Sequence, residues 1–150
     1  MKKDLTKCYL DTNVLVYYKL ESSSRHKEAL FLIKDLLKKR IKIFISGLVI
    51  DEFLYSLLRF HKLYQEKVDF GKLKKALMEI LNLPNLEIIN PSNKKDSHLK
   101  IVDNIILYKL RPRDAYHLLI MQEQEIGYFA TFDNDFKSVF KRGIVKKYPV

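Results

Sequence analysis

The sequence predicts an α/β fold, a three-layer α/β/α sandwich with a mainly parallel central sheet, in a single domain over residues 1–150. Short apolar runs typical of buried strands alternate with longer segments of helical periodicity. Strands that alternate with helices form parallel sheets covered on both faces. The chain has only four Gly and four Pro, which leaves little room for linkers between domains.

The first elements follow from strand-forming residues and from helix caps. Residues 7–11 are predicted to form a short strand, and a helix begins at once over 13–19. The serine run at 22–24 offers an N-cap for a second helix that ends near Lys39. These elements are a first strand followed by two helices.

The middle of the chain repeats the pattern. The segment KIFIS, residues 42–46, predicts a second strand, and Ser46 is placed to cap a helix whose apolar residues recur at helical spacing. The segment FGKLKKALMEILNLP predicts a further helix that stops near Pro84. The run LEII at 86–89 predicts a third strand.

The last third contains two long helices and two strands. The segment SHLKIVDNIILYK is helical by period. In RPRDAYHLLIMQEQEIG, Pro112 fits the first turn of a helix and Gly127 fits a C-terminal cap. The remaining predicted elements are a strand at 128–132, a short helix around 135–141 and a strand near 144–148.

Composition limits the function classes. The chain carries 28 Lys and Arg against 18 Asp and Glu, a net charge of +10, which suits a polyanionic partner such as RNA or DNA; a well-solvated surface is the ordinary alternative. No apolar run approaches the ~18 residues that a membrane span needs, and the N-terminus lacks the features of a signal peptide. We therefore expect a cytoplasmic protein without a membrane partner, with Cys8 as a small core residue.

Acidic side chains stand at several predicted junctions between elements, pressed between apolar neighbours. They are Asp11 after the first strand, Glu52 after the second, Asp114 in a first helical turn, and Asp133 and Asp135 after the fourth strand. Each alone has an ordinary explanation as a helix cap or turn residue. Together they predict a cluster, because sites in parallel sheets form beyond the carboxyl ends of the strands. Helical period alone leaves both Asp51 and Glu52 open as the inward-facing acid.

Such a cluster suits a divalent cation, which offsets the repulsion between carboxylates. Oxygen ligands without a Cys-x-x-Cys motif or a His pair indicate Mg²⁺ or Mn²⁺ rather than Zn²⁺. On a basic protein this combination indicates phosphate-ester chemistry. The four histidines show no ligand spacing. His117, three residues after Asp114, is compatible with a supporting role, although a surface or partly buried histidine is the favoured interpretation.

Four segments resemble the PIN domain, the nuclease fold named for the PilT N-terminus: YLDTNVLVYY, ISGLVIDEFLYSL, RPRDAYHLLIM and YFATFDNDF. They occur in the order of that family and together cover nearly the whole chain. The resemblance implies a PIN-like sandwich with an acidic, metal-binding pocket that cleaves RNA with Mg²⁺ or Mn²⁺. The size of the chain resembles that of VapC-like toxins of toxin–antitoxin pairs.

The resemblance also implies roles for particular residues. The four acids that it makes catalytic are Asp11, Glu52, Asp114 and Asp133. The spacing from Ser46 selects Glu52 over Asp51. The metal ligands that it implies are Asp11, Asp114, Asp133 and Asp135. The small polar residues that it places in the pocket are Thr12, Asn13 and Thr131.

The leading interpretation is therefore a metal-dependent endoribonuclease, the toxin of a toxin–antitoxin pair, with RNA as substrate and an antitoxin as partner. The alternatives are a housekeeping PIN nuclease that processes RNA and a non-catalytic RNA-binding domain. A phosphatase of the haloacid-dehalogenase type is disfavoured, because such an enzyme wants a second Asp where Asn13 stands. The stretch 60–85 matches no motif, which leaves open whether it forms a partner groove or a contact between two copies in a homodimer.

Overall fold

A computed structural model describes residues 4–64 and 66–149 of the chain. Strands and helices alternate throughout, as the sequence predicts. In chain order they are β1 (Asp4–Leu10), α1 (Thr12–Lys19), α2 (His26–Lys38), β2 (Lys42–Ser46), α3 (Gly47–Leu63), α4 (Phe70–Leu81), β3 (Leu86–Ile89), α5 (Lys95–Tyr108), α6 (Pro112–Glu123), β4 (Ile126–Ala130), α7 (Lys137–Lys141) and β5 (Lys146–Tyr148). The second and third strands have the predicted bounds, whereas the fourth begins two residues earlier than predicted.

The five strands form one parallel sheet in the order β3-β2-β1-β4-β5, which confirms the predicted α/β fold. Right-handed crossovers place the helices before β3 on one face and the later helices on the other. The packing groups the helices in the same way: α1 contacts α2 and α3, α3 contacts α4, and α5 contacts α6. The strand order reverses between β1 and β4, and ligands bind at such a switch point.

The core is centred on β1, which lies between β2 and β4. Cys8, Tyr9 and Leu10 are fully buried, since both faces of this strand are covered. The prediction that Cys8 is a core residue is confirmed. Phe129 of β4 packs against the ring of Tyr9, with the ring centroids 5.9 Å apart. The end of β1 is therefore held rigidly inside the sheet.

One of the two predicted N-caps is confirmed and the other is wrong. Ser46 caps α3, and its hydroxyl accepts a hydrogen bond from the backbone N–H of Val49 at 3.4 Å. The serines at 22–24 do not cap α2, whose N-cap is Arg25 without a side-chain hydrogen bond. The Ser23 hydroxyl instead accepts a hydrogen bond from the Arg25 N–H within the preceding turn, because short polar side chains also stabilise turns.

The predicted cap at Gly127 is also wrong. Helix α6 ends at Glu123 with Gln124 as its C-cap, and Gly127 is a residue of β4. A side chain at this position would clash with the backbone of β1, since a Cβ atom would lie 2.4 Å from the Asp4 carbonyl oxygen. Glycine is therefore required here by the close approach of two strands and not by a helix end. Pro112 does lie in the first turn of α6, as predicted.

The stretch 60–85, which matches no motif, contains the end of α3, α4 and the turn before β3; within it, Gln65 lies outside the described residues. Several of its large apolar side chains are exposed, namely Leu63, Tyr64, Phe70, Met78 and Leu81. No helix among residues 4–64 and 66–149 has the length and apolar character needed to cross a lipid bilayer.

Candidate active site

A pocket opens at the carboxyl ends of the central strands, next to the switch point between β1 and β4. Its volume is about 230 Å³. The residues that line it come from the start of α1, from α3 and from the segment after β4: Asp11, Thr12, Asn13, Val16, Tyr17, Glu52, Ser56 and Asp133. The structure thus brings three of the predicted catalytic acids and two of the predicted pocket residues to one cavity.

Asp11 lies between β1 and α1, and short hydrogen bonds hold its carboxylate. One oxygen, Oδ1, accepts from the backbone N–H of Thr12 at 2.8 Å. The other, Oδ2, accepts from the Thr131 hydroxyl at 2.6 Å and from the Asn13 amide at 3.1 Å. The Asp11 N–H donates to the carbonyl of Ala130 at 2.9 Å, which joins this residue to the end of β4. The carboxylate therefore has a fixed position.

The same polar residues organise the segment after β4. The Asn13 carbonyl oxygen accepts from the Phe132 N–H at 3.2 Å, and the Thr131 hydroxyl oxygen accepts from the Asp133 N–H at 3.0 Å. Asn13 and Thr131 thus contact Asp11 and the backbone that presents Asp133. Asn13 lines the cavity, whereas Thr131 lies outside the lining and contacts the site through Asp11 and Asp133.

The charge of Asp11 is only partly compensated. The pKa of Asp11 is raised from 3.8 to about 6, chiefly by burial. The negative charge of Asp133 contributes to the increase, while the hydrogen bond from Thr131 and the nearby His117 oppose it. Among the described residues, no salt bridge involves Asp11. This carboxylate is held where its ionised form is unfavourable.

Two predicted acids lie outside the cavity lining. Asp114, in the first turn of α6, has a raised pKa because it is partly buried and because Asp135, Glu52 and Asp133 carry like charges nearby; His117 opposes the increase. Asp135 is exposed. The acids are therefore close enough to repel one another, although only some of them face the cavity.

Helix α3 presents Glu52 and not Asp51 to the pocket. Asp51 is exposed, whereas the Glu52 side chain is 18% exposed and lines the cavity. Its Oε1 atom lies 2.8 Å from Nε2 of His117 and 3.8 Å from Nε of Arg113. The spacing from Ser46 therefore selects the acid that faces the pocket.

Behind Glu52 lies a buried chain of hydrogen bonds. The Tyr9 hydroxyl is 2.7 Å from Nδ1 of His117 and 2.7 Å from Oγ of Ser46. The His117 side chain is 3% exposed, so the expectation of a surface or partly buried histidine is wrong. His117 points inward because α6 packs against the sheet there. Its position on the helical face of Asp114 was the only sequence signal, and nothing local indicated Tyr9.

Aromatic and cationic side chains lie on or next to residues that line the pocket, and we call this group, Tyr17, Phe132, Arg25 and Arg113, the mouth of the pocket. The rings of Tyr17 and Phe132 lie 5.6 Å apart, and the Arg25 guanidinium lies 5.1 Å above the Phe132 ring. Arg113 is exposed near Glu52. In proteins that bind single strands, aromatic rings stack on bases and guanidinium groups bind phosphates.

The donor set fits Mg²⁺ or Mn²⁺ in its chemistry, although it is not arranged as a finished site. Among residues 4–64 and 66–149, no three His, Cys, Asp or Glu side chains are grouped closely enough to hold a metal ion. The raised pKa values of Asp11 and Asp114 indicate negative charge that a cation would offset. The buried Thr12 hydroxyl also lacks a hydrogen-bond partner among these residues.

Comparison with known proteins supplies a family. The family model of the PIN domain matches residues 8–141. No curated protein is similar enough in sequence to count as a match.

Solved structures of similar fold include VapBC2 from Rickettsia felis bound to a DNA fragment from its promoter. The TM-score is 0.64 and the identity is 19%, and the alignment covers 94% of this chain and 96% of that chain. VapC20 from Mycobacterium tuberculosis, described as a sarcin–ricin loop cleaving toxin, has a TM-score of 0.62 and 17% identity, with 88% and 94% covered. FitAcB from Neisseria gonorrhoeae has a TM-score of 0.58 and 14% identity, with 94% and 96% covered. At these identities the likeness is one of fold.

Proposed function

The chain belongs to the PIN domain family, and from this membership we propose that it is a metal-dependent endoribonuclease that hydrolyses RNA phosphodiester bonds. The observation that carries the proposal is the convergence of Asp11, Glu52 and Asp133 on one pocket at the switch point of the sheet. The net charge of +10 supports a polyanionic substrate.

In this proposal four aspartates bind the metal ion and Glu52 acts as the general base. Asp11, Asp114, Asp133 and Asp135 would hold Mg²⁺ or Mn²⁺, with the side chains of the other three rotating toward the fixed carboxylate of Asp11. The chemistry that such a cation supplies is polarisation of a phosphoryl oxygen and activation of a water molecule. Glu52 faces the pocket and would orient the attacking water and take its proton.

The mouth of the pocket would bind the RNA strand. Arg25 and Arg113 supply positive charge for phosphates, and Tyr17 offers a ring face to a base. Each phosphate contact should lower the logarithm of RNA affinity by about 0.7 for each unit of log salt. An affinity that does not change with salt would contradict this mode of binding.

The direct test is cleavage of total cellular RNA with Mn²⁺, followed by mapping of the cut ends, with the Asp11→Asn variant as control. We expect cuts that require Mg²⁺ or Mn²⁺ and that stop in excess EDTA. Undiminished cleavage in EDTA would exclude the metal mechanism. Binding of RNA without cleavage under any metal would favour the non-catalytic RNA-binding alternative.

We further propose that the chain is the toxin of a toxin–antitoxin pair. Support comes from the similar folds of VapC20 and of the VapBC2 complex. Large apolar side chains exposed along α3 and α4, such as Leu63, Tyr64 and Phe70, suit coverage by a protein partner. Expression in a bacterial host should arrest growth, and the product of the adjacent reading frame should restore it. Normal growth with active enzyme would favour a housekeeping nuclease.

A further inference from the structure

A line of four hydrogen-bonded side chains leads from the start of α3 through the core to the pocket. It consists of Ser46, Tyr9, His117 and Glu52. The consecutive distances are 2.7 Å, 2.7 Å and 2.8 Å, all within the range of well-formed hydrogen bonds. The members come from β2, β1, α6 and α3, so no local sequence pattern links them.

When Glu52 is ionised and His117 is neutral, the donors and acceptors along this line have one consistent arrangement. A carboxylate only accepts, so Nε2 of His117 must carry the proton and donate to it. Nδ1 then accepts from the Tyr9 hydroxyl, and the Tyr9 oxygen accepts from the Ser46 hydroxyl. The Ser46 oxygen accepts from the Val49 N–H, so each group has a partner.

This arrangement determines how Glu52 meets the pocket. A glutamate side chain is flexible, and it loses considerable conformational freedom when it is held. The hydrogen bond to His117 and the ion pair with Arg113, the polar interactions that Glu52 makes with the described residues, both fall on Oε1. The second oxygen, Oε2, is therefore the one left for a reactant in the pocket.

We propose that Tyr9 and His117 are positioning residues that orient the Glu52 carboxylate for RNA hydrolysis. This inference rests on the proposed nuclease function. Tyr9 selects the tautomer of His117 by donating to Nδ1, and His117 in turn holds Oε1. A histidine whose tautomer is set by a hydrogen bond on its other nitrogen is a general device for orienting a catalytic group.

The burial of this line predicts which kinetic constant it affects. Tyr9 is 0% exposed and the His117 side chain is 3% exposed, so neither can contact RNA. Loss of the line should therefore lower kcat and leave KM unchanged. A merely structural role would reduce the amount of folded enzyme and leave the kcat of the folded fraction intact.

The test variant is Tyr9→Phe, which removes one hydroxyl and keeps the ring. Its matched control is Tyr148→Phe. Tyr148 lies on β5, is also buried, and its hydroxyl donates a hydrogen bond to the side chain of Asp35 on α2. We expect Tyr9→Phe to lower kcat by about tenfold to 100-fold with KM unchanged, and Tyr148→Phe to leave both constants at wild-type values. Equal kinetics in the two variants would overturn the proposal.

Two further comparisons test whether the effect passes through Glu52. In a Glu52→Gln background, Tyr9→Phe should cause no additional loss, because residues that act as a unit are not additive. His117→Gln retains an amide donor and should keep more activity than His117→Leu. Full additivity with Glu52→Gln would show that Tyr9 acts by another route.

A measurement without RNA separates this inference from the nuclease proposal. The ¹⁵N shifts of the His117 ring should show the Nε2–H tautomer in the wild type and a mixture of tautomers in Tyr9→Phe. A wild type that cleaves no RNA but shows the Nε2–H tautomer would refute the nuclease function and leave the hydrogen-bonded line intact. An Nδ1–H tautomer in an active wild type would refute the line alone.

Discussion

Two aspartates, Asp11 at the end of β1 and Asp35 on α2, have opposite environments. Burial and the charge of Asp133 raise the pKa of Asp11 to about 6. Hydrogen bonds from Lys39 and from the Tyr148 hydroxyl lower the pKa of Asp35. Both carboxylates accept several hydrogen bonds, so hydrogen bonding alone does not determine the direction of the shift.

The difference lies in the source of compensating charge. Asp35 has its own cation within the chain, with Nζ of Lys39 at 2.8 Å. Asp11 has neutral donors from Thr12, Asn13 and Thr131, and no salt bridge with any described residue. The charge at Asp35 is neutralised internally and contributes to structure, whereas the charge at Asp11 is suited to a cation from outside.

The largest expected difference is in activity. Asp11→Asn, Asp114→Asn and Asp133→Asn should each lower kcat/KM by about 1000-fold, because each removes a charge worth several kcal/mol to the metal and the transition state. Asp35→Asn should leave activity unchanged. Parallel assays of the purified variants with Mn²⁺ provide the measurement. An inactive but folded Asp35→Asn variant would abolish the distinction between the two regions.

A smaller effect should separate two neighbouring acids on α3. Glu52→Gln should lower kcat by about 100-fold, the size of a general acid–base contribution, because this side chain lines the pocket. Asp51→Asn should be mild, because Asp51 is exposed. The same assay measures both variants. A larger loss of kcat in Asp51→Asn than in Glu52→Gln would mean that the opposite face of α3 contributes to the active site.

The free energy of unfolding should show that the ionised Asp11 carboxylate destabilises the metal-free protein. A rise in the pKa of Asp11 from 3.8 to about 6 corresponds to about 3 kcal/mol of destabilisation above pH 6, which vanishes as the group is protonated below pH 4. Asp11→Asn should therefore stabilise the metal-free protein at pH 7 by about 1–2 kcal/mol, since part of the gain is lost where the amide faces hydrogen-bond donors.

The measurement for this prediction is a set of melting curves of wild type and Asp11→Asn, each in EDTA and in Mn²⁺. Cation binding stabilises the folded wild type by RT ln(1 + [L]/Kd) and the variant much less, so Mn²⁺ should reverse the ranking. Equal destabilisation of Asp11→Asn in both conditions would make Asp11 a structural cap only.

The smallest effect on stability should appear at Asp35, where the ionised carboxylate stabilises the fold instead of destabilising it. Tyr148→Phe removes one hydrogen bond and should lower the free energy of unfolding at pH 7 by about 1 kcal/mol. Because the pKa of Asp35 is lowered in the folded state, its stabilisation is present at neutral pH and is lost as the pH falls through that value. Denaturant unfolding of Asp35→Asn at pH 7 and near pH 3 should therefore show a cost that shrinks in acid.

The parts of the site that sequence predicts are those that follow local signals. Asp11, Asp133 and Glu52 come shortly after runs of strand-forming residues, so their place at the carboxyl edge follows from the order of elements. The buried hydrogen-bonded line could not be predicted. Tyr9 and His117 are 108 residues apart in sequence, and only the packing of α6 on β1 joins them.

The sequence by itself determined the alternation of strands and helices, the bounds of β2 and β3, and the cap at Ser46, because periodicity and capping act within a few residues. The strand order, the placement of Gly127 inside β4 and the inward position of His117 follow from tertiary contacts. The physical reason is that these features depend on which distant backbone or side chain comes close. Gly127 lies against Asp4, and His117 lies between Tyr9 and Glu52, which are contacts that folding alone creates.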